Sequence, residues 1–338
     1  MKKLLYIGNR LSVHGSTPTG IEILGPLLEQ EGMHVTYASS KKNKFARLSA
    51  MLWQTLVRNK TLDFVLIDTY STSNFWYAFT VSQLCRLLNI KYIPILHGGG
   101  LPRRIAKNPK LCKMVFMNAF INVAPSGYLL EKFHAAGYSR VRYVQNPVEF
   151  DFFPFKQRQE IKPRLLWVRS LSPIYNPQMA LKALHLLKAI HPDATLCMVG
   201  PDKRNMRPAL FQMADELGIA VKFMGRMTKS EWAALSNDYD IFINTARIDN
   251  APYSLIEAAA LGLPIVSTNI GGIPYLFTDK KTALLVDNND AKGMANAVRE
   301  IIDNQALRTK IVDSALQLSH EFEWANVKNK WLDILTQA

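Results

Sequence analysis

The 338-residue chain has three cysteines, Cys85, Cys112 and Cys197, far apart and without the close spacing of a metal site or a small disulfide framework. Isolated thiols of this kind suit a reducing compartment, so a cytoplasmic location is expected. Long apolar runs are missing too, since no stretch reaches the ~18–20 uncharged residues of a membrane span. The basic-then-apolar start, residues 1–8, is too short for a signal peptide and reads as a buried first strand. There is no short repeat and no low-complexity tract. Acid is scarce in one half: residues 1–146 hold 6 Asp+Glu against 19 Lys+Arg, whereas residues 147–338 hold 21 against 22. Nearly all of the net charge of +14 therefore sits in the first half, which should be drawn to a polyanion, either anionic lipid or nucleic acid.

What is present is ordinary globular composition, with 48% hydrophobic and 20% charged residues, in a chain long enough for two cores. Short β-branched runs alternate with helical patterns. In the first half, strands are expected near 3–7, 34–38, 63–67, 91–96, 120–124 and 141–144. After a lapse around 145–163 they recur near 164–168, 194–199, 220–224, 240–243, 264–267 and 283–286, and only helices follow. This alternation predicts an α/β fold of two Rossmann-like domains with parallel sheets. The expected division is an N-terminal domain over 1–146, a linker over 147–163, and a C-terminal domain over 164–338 that includes the terminal helices. Two such halves imply a cleft, with ligands outside the carboxyl ends of the strands.

The most specific segment runs from Asp249 to Ser267. A strand ending at Asn244 leads into a loop, and a helix is expected to begin at Tyr253 or Ser254 and stop at Gly262. The first turn of such a helix, from Asn250 and Tyr253 through Ser254 and Leu255, offers unpaired N–H groups and partial positive charge to a phosphate. Glu257, on the same turn, is a carboxylate able to accept two hydrogen bonds from a ribose diol.

This stretch resembles glycosyltransferase family 4, whose signature is two acidic residues separated by seven others; here they are Asp249, where glutamate is usual, and Glu257. The Gly271-Gly272 run and Pro274 fit the same pattern. The resemblance implies a retaining GT-B enzyme in which Glu257 holds the nucleotide ribose and Asp249 contacts hydroxyls of the transferred sugar. Arg169 follows the first strand of the second half, where the family places an arginine on the donor diphosphate, a contact guanidinium makes well. The Lys-Gly that usually follows is replaced here by the run from Ile174 to Pro177. The second phosphate charge must then be met by helix N–H groups or another cation, with Arg247 and Lys203 as candidates.

In the first half, the run from His97 to Arg104 contains Gly98, Gly99 and Gly100, which allow a backbone to approach a ligand closely. The resemblance assigns His97 to the donor sugar near the reacting carbon. Gly98, Gly99 and Arg103 are candidates for an acceptor or phosphate loop. Gly15, Thr19 and Gly20 lie in the loop after the first strand, which by the same resemblance lines the acceptor side. Residues 41–60 carry Lys41, Lys42, Lys44, Arg47, Arg58 and Lys60 without an acid. Interleaved with them, Phe45, Leu48, Leu52, Trp53 and Leu56 either pack on the sheet or form a membrane-surface helix. A second cluster, Arg103, Arg104, Lys107, Lys110 and Lys113, is placed to meet a pyrophosphate.

The resulting expectation is a hexosyltransferase that needs no metal or other cofactor. It would move a sugar from a UDP- or GDP-linked donor to a lipid-linked or polysaccharide acceptor at the inner membrane face. The triplet Asp238, Tyr239, Asp240 spells a metal motif of other transferases, but it precedes a core strand and is expected to cap a helix or turn. A nucleotide-sugar epimerase and a non-catalytic nucleotide-binding scaffold of the same fold are the alternatives. Nucleic acid is not expected as a partner, because no recognition motif accompanies the charge.

Overall fold

The computed structural model describes residues 1–14 and 18–337; Gly15 lies outside the described residues. The chain forms two compact units, one made of residues 1–147 plus those from Trp324 on, the other of residues 148–323.

The first unit runs β1 (Lys3–Ile7), α1 (Gly20–Gln30), β2 (His34–Ala38), α2 (Lys44–Val57), β3 (Phe64–Thr69), α3 (Phe75–Leu87), β4 (Tyr92–Leu96), α4 (Leu101–Lys107), α5 (Pro109–Phe116), β5 (Asn122–Ala124), α6 (Gly127–Ala135) and β6 (Val141–Tyr143). Its strands pair in parallel in the order β2-β1-β3-β4-β5-β6. Side chains alternate across the sheet, so Leu4 and Tyr6 enter one core while Leu5 and Ile7 enter another. Helices over both faces leave β3 buried along its whole length, which is why its sequence is continuously apolar up to Asp68.

The second unit runs β7 (Arg164–Val168), α7 (Pro177–Lys188), β8 (Thr195–Val199), α8 (Arg207–Glu216), β9 (Val221–Gly225), α9 (Lys229–Leu235), β10 (Ile241–Asn244), α10 (Tyr253–Ala260), β11 (Ile265–Thr268), α11 (Ile273–Leu276), β12 (Leu284–Val286), α12 (Ala291–Asp303) and α13 (Gln305–His320). Its parallel order is β12-β11-β10-β7-β8-β9. In each sheet the chain first builds outward on one side and then returns to the other. That creates one switch point between β1 and β3 and another between β7 and β10, and crevices for ligands open at the carboxyl ends of such strand pairs.

Two expected boundaries change. Residues 148–163 are not a free linker, because Val148 and Phe153 are buried in the second core and Val148 N donates to Phe322 O at 2.9 Å. The last helix, α14 (Trp324–Thr336), belongs to the first unit and not to the C-terminal half. Its Val327, Trp331, Ile334 and Leu335 complete the core containing Leu4, Tyr6 and Leu24. Its edge is tied down by Trp324 Nε1 donating to Glu31 at 3.0 Å and by Lys330 over the Tyr143 ring.

The apolar face of α2 also differs from the expected leucine stripe. Arg47, Met51 and Thr55 face inward, Leu48 and Leu52 pack at the margin of the core, and Phe45, Trp53, Leu56 and Val57 are exposed. Arg47 is not part of the basic surface: its guanidinium donates to Lys41 O, Lys42 O and Asn9 Oδ1 at 2.7, 3.0 and 2.7 Å. No helix among the described residues is long and apolar enough to cross a membrane, and all three cysteines are buried free thiols.

Candidate active site

At the β7/β10 switch point, Arg169 leaves the end of β7 and its Nη2 donates to Asp249 Oδ2 at 2.7 Å. Both side chains are largely shielded, at 13% and 14% exposure, so each compensates the other's loss of water. The Tyr175 ring lies 5.1 Å from the guanidinium carbon. Tyr175 is itself held by Thr245, whose hydroxyl donates to its carbonyl at 2.8 Å and accepts from Trp167 Nε1 at 2.9 Å.

Glycine makes this approach possible. A Cβ on Gly200, whose φ is +145°, would collide with Arg169 O. On the other side, Cβ atoms on Gly271 and Gly272 would collide with Asp249 O and Asn250 O, and Gly272 N donates to Asp249 O at 3.1 Å. The glycine pair thus clamps the backbone that carries Asp249, whose Oδ1 accepts from Asn250 N at 2.8 Å.

Helix α10 follows at once. Its N-cap residue is Pro252, which supplies no side-chain cap, and Leu255 N donates to Pro252 O at 3.1 Å. Ser254 and Leu255 are buried, and the Ser254 hydroxyl has no partner among the described residues. Every residue of α10 from Ser254 to Ala260 is buried. In that apolar helix Glu257 is the one charged side chain, and burial pushes its carboxyl up to about 7, opposed by Lys229 and Arg169. The structure thus brings Arg169, Asp249, Asn250, Tyr253, Ser254, Leu255 and Glu257 onto one strand pair and the helix that follows it.

Sequence reasoning missed Lys229. It lies at the start of α9, pairs with Glu149 at 2.5 Å and acts electrostatically on Glu257. Arg247 is engaged elsewhere, donating to Asn289 Oδ1 and Asn176 Oδ1, each at 3.1 Å. Lys203 is exposed. Asp240 does not cap a helix or turn as expected: Arg164 grips both its oxygens at 2.6 and 3.0 Å, the strong fork geometry.

In the first unit, His97 follows β4 and its Nε2 lies 2.7 Å from Asp68 Oδ1, a residue not singled out from the sequence. A Cβ at Gly20 would sit 2.9 Å from His97 Nε2, so this glycine is required for packing. Gly98 and Gly100 face Ser71 at similar distances; that part of the glycine run lets the loop after β4 cross the loop after β3. Gly99 lies in the intervening turn. Arg103 is exposed, whereas Arg104 is structural, donating to Ser71 O at 2.7 Å and covering the Phe75 ring.

The family model described as "Glycosyl transferases group 1" matches residues 149–317. A D-inositol 3-phosphate glycosyltransferase of Corynebacterium glutamicum (strain R) is 28% identical over 165 residues, covering 47% of this chain and 40% of that one. The GalNAc-α-(1→4)-GalNAc-α-(1→3)-diNAcBac-PP-undecaprenol α-1,4-N-acetyl-D-galactosaminyltransferase of Campylobacter jejuni is 26% identical over 201 residues, covering 59% of this chain and 55% of that one. The chain spans about half the length of the curated relatives it matches. In fold, the chain is similar to Anabaena Alr3699/HepE in complex with UDP-glucose, with a TM-score of 0.80, 16% identity and 100% of both chains covered. Two parallel six-stranded sheets, the glycine-clamped Arg169–Asp249 pair and a family match over half its length converge: the chain belongs to the glycosyl transferases group 1.

Proposed function

We propose that the chain is a retaining, metal-independent hexosyltransferase that takes a sugar from a nucleoside diphosphate donor. The observation that carries this reading is the Arg169–Asp249 ion pair at the β7/β10 switch point, followed along the chain by α10 with its buried Glu257. Arg169 and the first turn of α10 at Ser254, with its helix-dipole charge, stabilise the negative charge that grows on the leaving diphosphate. Lys229 supplies the second cation, in place of the usual lysine where this chain has Ile174. Glu257 accepts the ribose hydroxyls, while Asp249 and His97 orient sugar hydroxyls. The bond from the anomeric carbon to the diphosphate oxygen breaks and the bond to the incoming hydroxyl forms on the same face. The hydroxyl proton passes to the departing phosphate oxygen. Fixed cations fill the place of a metal, and Asp240, fully engaged by Arg164, is not offered to one.

The acceptor is a lipid-linked or polysaccharide hydroxyl at the cytoplasmic membrane face. The Campylobacter jejuni relative carries undecaprenol diphosphate in its acceptor's name. The exposed Phe45, Trp53, Leu56 and Val57 among Lys41, Lys42, Lys44, Arg58 and Lys60 make a surface suited to an anionic bilayer. Arg103, Lys107, Lys110 and Lys113 form a second exposed basic strip.

The test is calorimetric titration of UDP-, GDP- and ADP-sugars into the wild type and Glu257→Ala, followed by transfer to lipid-linked and glycan acceptors in EDTA. One donor should bind to the wild type and not to the variant, and the product should keep the donor's anomeric configuration. Conversion of the donor sugar without acceptor would make the chain an epimerase, and binding without any turnover would make it a scaffold. Activity restored only by Mn²⁺ would refute metal independence.

A further inference from the structure

The first unit holds a shielded pair, of which the donor-site reading uses His97 and leaves Asp68 without a role. Asp68 is the penultimate residue of β3, at the β1/β3 switch point, and His97 follows the neighbouring strand β4. The register Asp68↔Ile95 and Thr69↔Leu96, continued by His97 N donating to Thr69 O at 2.9 Å, fixes the two side by side. Asp68 Oδ1 lies 2.7 Å from His97 Nε2 and accepts from the Tyr6 hydroxyl at 3.1 Å. Its Oδ2 is buried without a partner among the described residues, in space that exists because residue 8 is glycine: a Cβ there would sit 2.7 Å away. Tyr70 stacks on the imidazole with centroids 5.3 Å apart and a 27° angle.

An ionised carboxylate only accepts hydrogen bonds, so the ring nitrogen facing it must carry a proton. Among the described residues no lysine or arginine forms an ion pair with Asp68, so the histidine is its partner, and such a pairing sets the tautomer. Burying a carboxylate against an imidazole is costly unless the arrangement serves the site.

We propose that Asp68 is a positioning residue that holds His97 with Nε2 as donor and Nδ1 as acceptor for a sugar hydroxyl. The word sugar rests on the transferase reading; the tautomer does not. A carboxamide at position 68 would turn its N–H toward Nε2 and move the ring proton to Nδ1, which then can no longer accept.

The test is ¹⁵N NMR of the full chain labelled at histidine, wild type and Asp68→Asn, with transfer kinetics alongside. The expected wild-type spectrum shows protonated Nε2 and unprotonated Nδ1 on His97, and the variant shows the reverse. Transfer should fall about 100-fold or more, in line with what a wrong tautomer costs other enzymes. Tyr6→Phe, which leaves the carboxylate on His97, should keep the wild-type tautomer. Whichever of donor or acceptor shifts the Nδ1 resonance identifies the hydroxyl. A wild-type His97 protonated at Nδ1, or a variant with unchanged tautomer and rate, overturns the proposal. Should Asp68→Asn fail to fold, the wild-type and Tyr6→Phe spectra still decide. The expected tautomers without turnover of any nucleotide sugar would refute the transferase reading and leave the pair standing.

Discussion

The two units share a plan, a six-stranded parallel sheet with a switch point, yet they place different ions there. The second unit sets a guanidinium against a carboxylate, Arg169 with Asp249, and adds the buried first turn of α10. The first sets an imidazole against a carboxylate, His97 with Asp68. A guanidinium keeps its charge at any working pH and suits a diphosphate. An imidazole offers one donor and one acceptor and suits a neutral hydroxyl. Similar sheets thus lend themselves to different ligands through the group chosen at one strand end. The basic excess of the first unit lies on its surface helices and not at this point.

The sharpest way to break the comparison is Arg169→Ala. Removing the cation strands a shielded Asp249, at a cost of ~3–5 kcal/mol if the site cannot relax, and donor binding should disappear from calorimetric titrations. Donor affinity within threefold of wild type would show that the pair is architectural. Next, Trp331→Ala removes a buried indole from the first core and should destabilise that unit by ~3–4 kcal/mol. Urea unfolding followed by hydrogen exchange should show this loss in β1–β6 alone; an equal loss in β7–β12 would mean that the units unfold together.

Glu257 gives the third test. Its folded-state value of about 7 lies above that of an unfolded glutamate, so its stabilising contribution is complete below pH 4.5 and lost as pH rises through 7. Glu257→Gln should therefore raise the melting temperature more at pH 8 than at pH 5, by an amount on the order of 2–3 kcal/mol in stability. If ribose binds the ionised form, wild-type donor affinity should rise about tenfold from pH 6 to pH 8. A flat profile would show that the carboxyl is ionised throughout. The smallest effect belongs to the first unit's surface: Lys41→Gln should weaken sedimentation with anionic vesicles by ~1 kcal/mol and leave neutral vesicles unaffected. No change at low salt would remove Lys41 from the membrane surface.

The central strands were legible because parallel strands buried on both faces are continuous apolar runs, as β3, β4 and β10 are, and the edge strands β2, β6 and β9 from their place in the alternation with helices. The strand, loop and helix from Ile241 to Ala260 were legible for a related reason, since the small apolar residues around Glu257 announce a buried helix. What escaped depended on partners far away in sequence. The apolar positions of α14 announce an amphipathic helix but not which core it completes. Arg47 reads as surface charge, and only folding shows three acceptors waiting for it. Asp68 had a signal, a lone carboxylate closing an apolar strand, whose meaning depended on knowing that β3 borders the switch point. Gly200 and Lys229 become meaningful only once β8 and α9 lie beside Arg169 and Glu257.

The return of α14 to the first unit also orders the birth of the molecule. The second unit is an insertion within the first, and every residue it needs precedes in the chain the helix that closes the other core. A chain stopped at Glu323 would carry a finished lobe beside one with an open, greasy seam at Leu4, Tyr6 and Leu24, where a chaperone or a neighbouring chain would bind until residues 324–336 arrived.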